Sequence, residues 1–118
     1  MTGSDRINLS LKSALGDPST HEGRLALAEI FRLYFDNVST ACLEMRRAES
    51  AEDVRRHAHR AKGASGVVGA VSLAGDFADL EARAAAGETI SGDTYDDIER
   101  RLSSLRLEVA AQIGLELK

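Results

Sequence analysis

A short stretch near the middle of the chain combines one histidine with one lysine and several glycines. It reads AHRAKGASGVVGA over residues 58–70, and His59 is followed three residues later by Lys62. A neutral imidazole is a good nucleophile towards an activated phosphoryl group, and a nearby ammonium can balance the negative charge of the product. Phosphoryl transfer depends mostly on positioning and charge neutralisation, so one nucleophile and one cation suffice when a partner supplies metal and acidic residues. The stretch is therefore a candidate half of a phosphoryl-transfer site.

The helical period places His59 on the solvent side of its helix. At about 100° per residue, His59, Gly63 and Gly66 lie roughly 120–180° from the stripe that must face the core. Glycine inside a helix costs about 0.5–1 kcal/mol relative to alanine, so two glycines on an exposed face oppose the helix without structural gain. Residues that weaken a helix without improving its packing are expected at functional sites. We interpret Gly63 and Gly66 as a bare patch that lets another protein approach the backbone beside His59. The core stripe consists of Val54, Ala58, Ala61, Ser65 and Val68, and the Ser65 hydroxyl is expected to bond back to its own helix.

Several cations surround His59, although the chain as a whole is acidic. Arg55 and Arg56 lie one turn before it, and Arg60 follows it directly. Lys62 is its helical neighbour at i+3. This arrangement suits a histidine that acquires negative charge. For the three arginines, docking of a partner and an ordinary solvated helix face are about equally good interpretations.

The composition limits the class of protein. With 118 residues the chain is expected to form one domain with one core. A net charge of −4 without a basic tract disfavours nucleic acid as the main partner. The apolar runs are too short for a membrane span or a signal peptide, and the single Cys42 lies in an apolar stripe as a small buried side chain. We therefore expect a cytoplasmic protein without membrane contact.

Low proline content and apolar side chains at three- and four-residue steps predict an all-α fold. Ser19, with Glu22 three residues later, is predicted to cap the first helix, and Asp93 the last. Short connections make sequential helices antiparallel neighbours, so residues 20–118 are predicted to form an antiparallel up-down-up-down four-helix bundle. Residues 1–19 suit either a short additional helix or an extended arm, and the sequence does not decide between them. The helices are expected over 20–48, 52–69 and 72–86 and from about 93 onwards.

The motif from His59 to Ala70, HRAKGASGVVGA, resembles the signature of histidine-containing phosphotransfer (HPt) domains. In that family His-x-x-Lys-Gly is followed by small residues and by a glycine at the helix end. The resemblance extends over nearly the whole chain, with a helix before the motif, Leu80 and Glu81 in the next helix, and a final amphipathic helix. The chain departs from the family at Ala61, where a larger apolar residue is usual, which suggests a thinner core layer.

The resemblance implies a phosphocarrier of a two-component phosphorelay. Its histidine takes a phosphoryl group from the aspartyl phosphate of one response-regulator receiver domain and donates it to the aspartate of another. His59 would accept the group through Nε2, Lys62 would steady the phosphoryl oxygens, and Gly63 would permit close approach of the receiver. Glu81 would accept a hydrogen bond from Nδ1–H and so fix the tautomer of the imidazole.

The same resemblance sets the expected partners. They are receiver domains and a hybrid histidine kinase, with Mg²⁺ held by the receiver and no cofactor or metal bound by this chain. The sequence contains no ATP-binding loop, so we do not expect it to phosphorylate itself from ATP. We expect a monomer.

Two alternatives belong to other classes of protein. A metal site built on His57 and His59 is disfavoured because residues two apart point about 200° apart on a helix. His57 borders the core stripe and is expected to be half-buried. The second alternative is a non-catalytic helical bundle that docks response regulators without carrying phosphate, and the sequence does not exclude it.

Overall fold

The computed structural model describes residues 16–114, which contain four α-helices and, within that range, no β-strand. The helices are α1 (His21–Arg47), α2 (Ala51–Val68), α3 (Val71–Ala85) and α4 (Gly92–Ile113). The predicted all-α fold is confirmed over this range. None of the four helices is both long and apolar enough to cross a membrane. The arm or short helix predicted for residues 1–19 lies almost entirely outside the described residues.

Two helix starts differ by one or two residues from the prediction. The N-cap of α1 is Thr20, whose hydroxyl accepts a hydrogen bond from the Gly23 N–H at 2.9 Å. The prediction of Ser19 as the cap is wrong, because the Ser19 hydroxyl donates instead to the Asp17 carboxylate at 2.7 Å, in the preceding turn. In α4 the N-cap is Ser91 rather than Asp93, which lies in the first turn. An acidic side chain there still interacts favourably with the helix dipole.

The connection between α2 and α3 is only two residues long. α2 ends at Gly69, whose φ of 79° is in the left-handed region that favours glycine. The N–H of Ala70 donates to the Ser65 carbonyl at 2.8 Å, which closes the end of the helix. α3 begins at the next residue, and the two helices pack closely along their length. This packing sets the residues of α3 beside the outer face of α2.

The four helices share one apolar core. α1 packs against α2 and α4, and α2 packs against α3. The core face of α2 carries small side chains, and its first predicted member, Val54, is only partly buried. Small side chains let neighbouring helices approach closely. The largest fully buried side chains include Phe31, Phe35, Phe77, Leu27, Met45, Leu73 and Leu80.

One buried polar contact joins α1 to α2. The Ser65 side chain is fully buried, and its hydroxyl lies 2.8 Å from the hydroxyl of Tyr34. The predicted bond from Ser65 back to its own helix is therefore wrong, because Tyr34 reaches across the interface and supplies the partner. Buried hydroxyls require such partners, so this contact favours one register of α1 against α2.

Candidate functional site

The outer face of α2 presents His59 to solvent, next to a carboxylate from α3. The His59 side chain is 61% exposed, and its Nδ1 lies 2.8 Å from Oε2 of Glu81. Glu81 projects from α3 and is only 19% exposed. The contact between them exists because α3 packs directly alongside α2.

Glu81 is held in its charged form by two neighbours on α2. Lys62 Nζ lies 2.6 Å from Oε1, while His59 occupies Oε2. The hydrogen bond from Lys62, and then the one from His59, hold the pKa of the Glu81 carboxyl below its usual range. Near neutral pH the carboxylate therefore only accepts hydrogen bonds.

This contact fixes the tautomer of the His59 ring. Since the carboxylate can only accept, Nδ1 must carry the proton that lies between the two side chains. In the neutral imidazole the lone pair is then on Nε2, at the edge of the ring away from Glu81. Within residues 16–114, no hydrogen bond engages Nε2. His59 thus presents an exposed nucleophilic nitrogen whose partner nitrogen is anchored.

Lys62 lies on the anchored side of the imidazole. Its ammonium is bound to Glu81, at the Nδ1 edge, whereas an incoming electrophile would meet Nε2 at the opposite edge. Its side chain is 37% exposed, so it has room to move. Lys62 and His59 contact the two oxygens of the same carboxylate, so Lys62 brings positive charge into the site.

The three arginines near His59 have different surroundings. Arg55 binds Glu52 through two hydrogen bonds and places Nη1 3.9 Å from Glu81. Arg56 pairs with Asp53 at 2.6 Å, and it contacts neither His59 nor Glu81. Arg60 lies on the opposite side of α2, in a groove shared with α1. The structure therefore brings Arg55 into the site and leaves Arg56 and Arg60 outside it.

Gly63 and Gly66 leave part of the α2 surface near His59 without side chains. A Cβ built at Gly63 or at Gly66 would meet nothing within 4 Å, so neither glycine is required by packing within the described residues. Val67, one turn beyond Gly63, is 68% exposed, and Val71 at the start of α3 is similarly exposed. Exposed large apolar side chains of this kind occur in surfaces that bind another protein.

Sequence reasoning did not single out one further glycine. Gly75 lies on the exposed side of α3, and a Cβ there would also meet nothing within 4 Å. Like Gly63, it is an interior helix glycine away from the apolar stripe. That signal was present in the sequence, but only the structure places α3 beside the face of His59.

His57 is separated from His59 by the body of α2. It is half-buried, as its position on the helical wheel predicts, and it lines the groove between α1 and α2 together with Arg60. Within residues 16–114 no group of three or more histidine, cysteine, aspartate or glutamate side chains is arranged to hold a metal ion.

No protein-family model, no curated protein and no solved structure matches this chain. The basis for a function is therefore the chemistry of His59 and its neighbours.

Proposed function

We propose that this chain is an HPt-type phosphocarrier of a two-component phosphorelay. His59 receives a phosphoryl group from the aspartyl phosphate of a receiver domain and passes it to the aspartate of another receiver. The observation that carries the proposal is the anchored imidazole, whose Nδ1 is bound to Glu81 while its side chain is 61% exposed and no residue of 16–114 bonds to Nε2.

The chemistry of the step follows from this geometry. The Nε2 lone pair attacks phosphorus and forms the N–P bond, while the P–O bond to the donor aspartate breaks and its electron pair leaves with the carboxylate. The ring keeps its Nδ1 proton and becomes a phosphorylated imidazolium. Its new positive charge lies against the Glu81 carboxylate, 2.8 Å away. Transfer to a second receiver is the reverse of the same step.

The remaining parts of the site come from the receiver domain. Mg²⁺ and the acidic residues that bind it belong to the receiver, and no cofactor is required on this chain. The receiver approaches over Gly63 and Gly66, where no side chain stands between it and the helix backbone. Lys62 supplies a cation that can turn towards the phosphoryl oxygens as they arrive.

The proposal includes a finer description of the fold and its setting. The four described helices form an antiparallel up-down-up-down bundle, which is supported by the two-residue connection and close packing of α2 and α3. The protein acts as a cytoplasmic monomer, and a hybrid histidine kinase supplies its phosphate.

Incubation with receiver domains carrying ³²P-aspartyl phosphate tests the proposal. Label should move to the wild-type chain, and His59→Gln should take none while keeping the same circular dichroism spectrum. The competing function is a scaffold that docks regulators without carrying phosphate. Stable binding of a phosphorylated receiver without any transfer of label would support the scaffold and contradict the phosphocarrier.

A further inference from the structure

Two cations on α2 flank the Glu81 carboxylate. Lys62 and Arg55 lie on the same helical stripe as His59, at spacings of three and four residues. Lys62 is in direct contact with Oε1 at 2.6 Å, whereas Nη1 of Arg55 is 3.9 Å from Oε2. The first is a hydrogen-bonded ion pair, and the second is too long for a hydrogen bond. Glu81 is thus hydrogen-bonded to Lys62, and Arg55 lies nearby without a hydrogen bond to it.

The way in which Arg55 is held leaves one side of its guanidinium unused. Nε and Nη2 donate to the two carboxylate oxygens of Glu52 at 2.9 and 2.6 Å. The Nη1 donors take no part in that pair and face Glu81. A guanidinium has five N–H donors in a rigid plane, so it can serve two carboxylates at once. A movement of about 1 Å would bring Nη1 to hydrogen-bonding distance of Glu81, and the two donors that bind Glu52 are on other nitrogen atoms.

Phosphorylation creates a need for this second cation. The phosphoryl group adds negative charge at Nε2, while Lys62 is bound at the opposite edge of the ring. When Lys62 turns to the phosphoryl oxygens, Glu81 loses its closest cation. The Glu81 side chain is 19% exposed, so water replaces a lost cation only in part. The phosphorylated imidazolium nevertheless requires that carboxylate to stay charged and in place.

We propose that Arg55 is a positioning residue that takes over the Glu81 carboxylate when Lys62 turns to the phosphoryl group. This inference rests on the proposed function and deepens it. Arg55, which the sequence suggested as a residue for partner docking, would then act on the site itself through Glu81. Arg56 and Arg60, its neighbours in sequence, do not contact Glu81 and have no such role.

The exchange makes the effect of Arg55 depend on Lys62. In the wild type, Arg55 lies 3.9 Å from Glu81 before phosphorylation and donates a hydrogen bond to it only afterwards, so Arg55→Gln weakens the phosphorylated state more than the free state. With Lys62→Gln in place, Arg55 is the one Lys or Arg among the described residues that remains beside Glu81, both before and after phosphorylation. Arg55→Gln then affects both states equally and leaves their ratio unchanged.

The test uses phosphoramidate as a small donor, so that no receiver docking is involved. Nε2 displaces ammonia from phosphoramidate, and ³¹P NMR at a fixed ratio of ammonia to phosphoramidate gives the fraction of phosphorylated His59. Arg55→Gln should lower the equilibrium constant by about fivefold, the upper range for a partly exposed ion pair. The same substitution in the Lys62→Gln chain should leave it unchanged. Gln is a good helix former, so the variants should fold.

Arg100→Gln is the matched control because Arg100 pairs with Asp97 at i and i+3 on α4, as Arg55 does with Glu52 on α2. It should not change the equilibrium constant. An unchanged constant for Arg55→Gln, or an equal loss with and without Lys62, would overturn the exchange while His59 is still phosphorylated and the proposed function stands. If His59 takes no phosphoryl group at all, the proposed function and the exchange both fail.

Discussion

Substitution of Gly63 separates the stability of α2 from the use of its bare surface. Gly63 lies in the interior of the helix, and a Cβ there would meet nothing within 4 Å. Alanine or glutamine at this position therefore requires no neighbour to move. Both residues have a higher helix propensity than glycine. If the glycine has no function, either substitution should raise the stability of the protein and leave phosphoryl transfer unchanged.

The size of the stability change follows from that open space. Gly63→Ala should raise the free energy of unfolding by about 0.5–1 kcal/mol, because alanine loses less backbone entropy on folding. For a domain of this length, such a gain raises Tm by about 2–5 °C. Gly63→Gln should give a somewhat smaller gain, since glutamine also loses side-chain freedom. Urea unfolding followed by circular dichroism measures both changes.

The effect on transfer should have the opposite sign. A glutamine side chain at Gly63 projects into the space through which the receiver must approach His59. A displacement of about 1 Å between reacting groups can cost about 10²-fold in rate, and we expect a loss of that order for Gly63→Gln. Rapid-quench measurement of label transfer from a phosphorylated receiver gives the rate.

Ser104→Gln provides the control for a bulky side chain on an exposed helix position. Ser104 lies on α4, which is not part of the site, and it is exposed. Its substitution should leave transfer unchanged. A folded Gly63→Gln protein that transfers phosphate at the wild-type rate would refute the interpretation of the glycines as an approach surface.

Three further predictions concern stability and reactivity. Because Lys62 first, and then His59, lower the pKa of Glu81, its carboxylate should stabilise the fold above the ordinary glutamate pKa of about 4.3 and lose that effect as pH falls through its lower folded value. The stability difference between wild type and Glu81→Gln in urea should therefore shrink from pH 7 to pH 3, and an equal difference at both would contradict this. Tyr34→Phe removes the partner of the buried Ser65 hydroxyl and should cost about 1–3 kcal/mol by the same assay; no loss would show that the contact is dispensable. Burial raises the pKa of the Cys42 thiol to about 12, so a thiol reagent at pH 8 should react only with the unfolded chain, and rapid reaction of the native protein would be inconsistent with a buried thiol.

The helices could be predicted from the sequence because each carries an apolar stripe with the helical period. Their first residues could not be predicted as well, because several side chains compete for the same cap. Ser19 and Thr20 are both good caps, and Asp17 decides between them by binding Ser19. The partner of Ser65 also depended on the packing of α1 against α2, which periodicity within one helix does not describe.

In the site, too, the features within one helix could be predicted and the contacts between helices could not. His59, Lys62 and the glycines share one helix, so their common face follows from the helical period alone. The surroundings of Arg55 and Arg56 could not be separated in that way, because the sequence does not say which side of α2 meets α3. Neighbouring residues point about 100° apart, and in the structure only the first of these two arginines faces Glu81.

The central claim is that Nε2 of His59 carries the phosphoryl group. The most direct measurement is to phosphorylate the chain with a phosphorylated receiver and to locate the modification by tandem mass spectrometry, with the ring nitrogen assigned by ³¹P and ¹⁵N NMR. We predict a single phosphoryl group on His59, bonded to Nε2, with Nδ1 still protonated against Glu81. A phosphoryl group on Nδ1, on another residue or on no residue of the chain would contradict the claim.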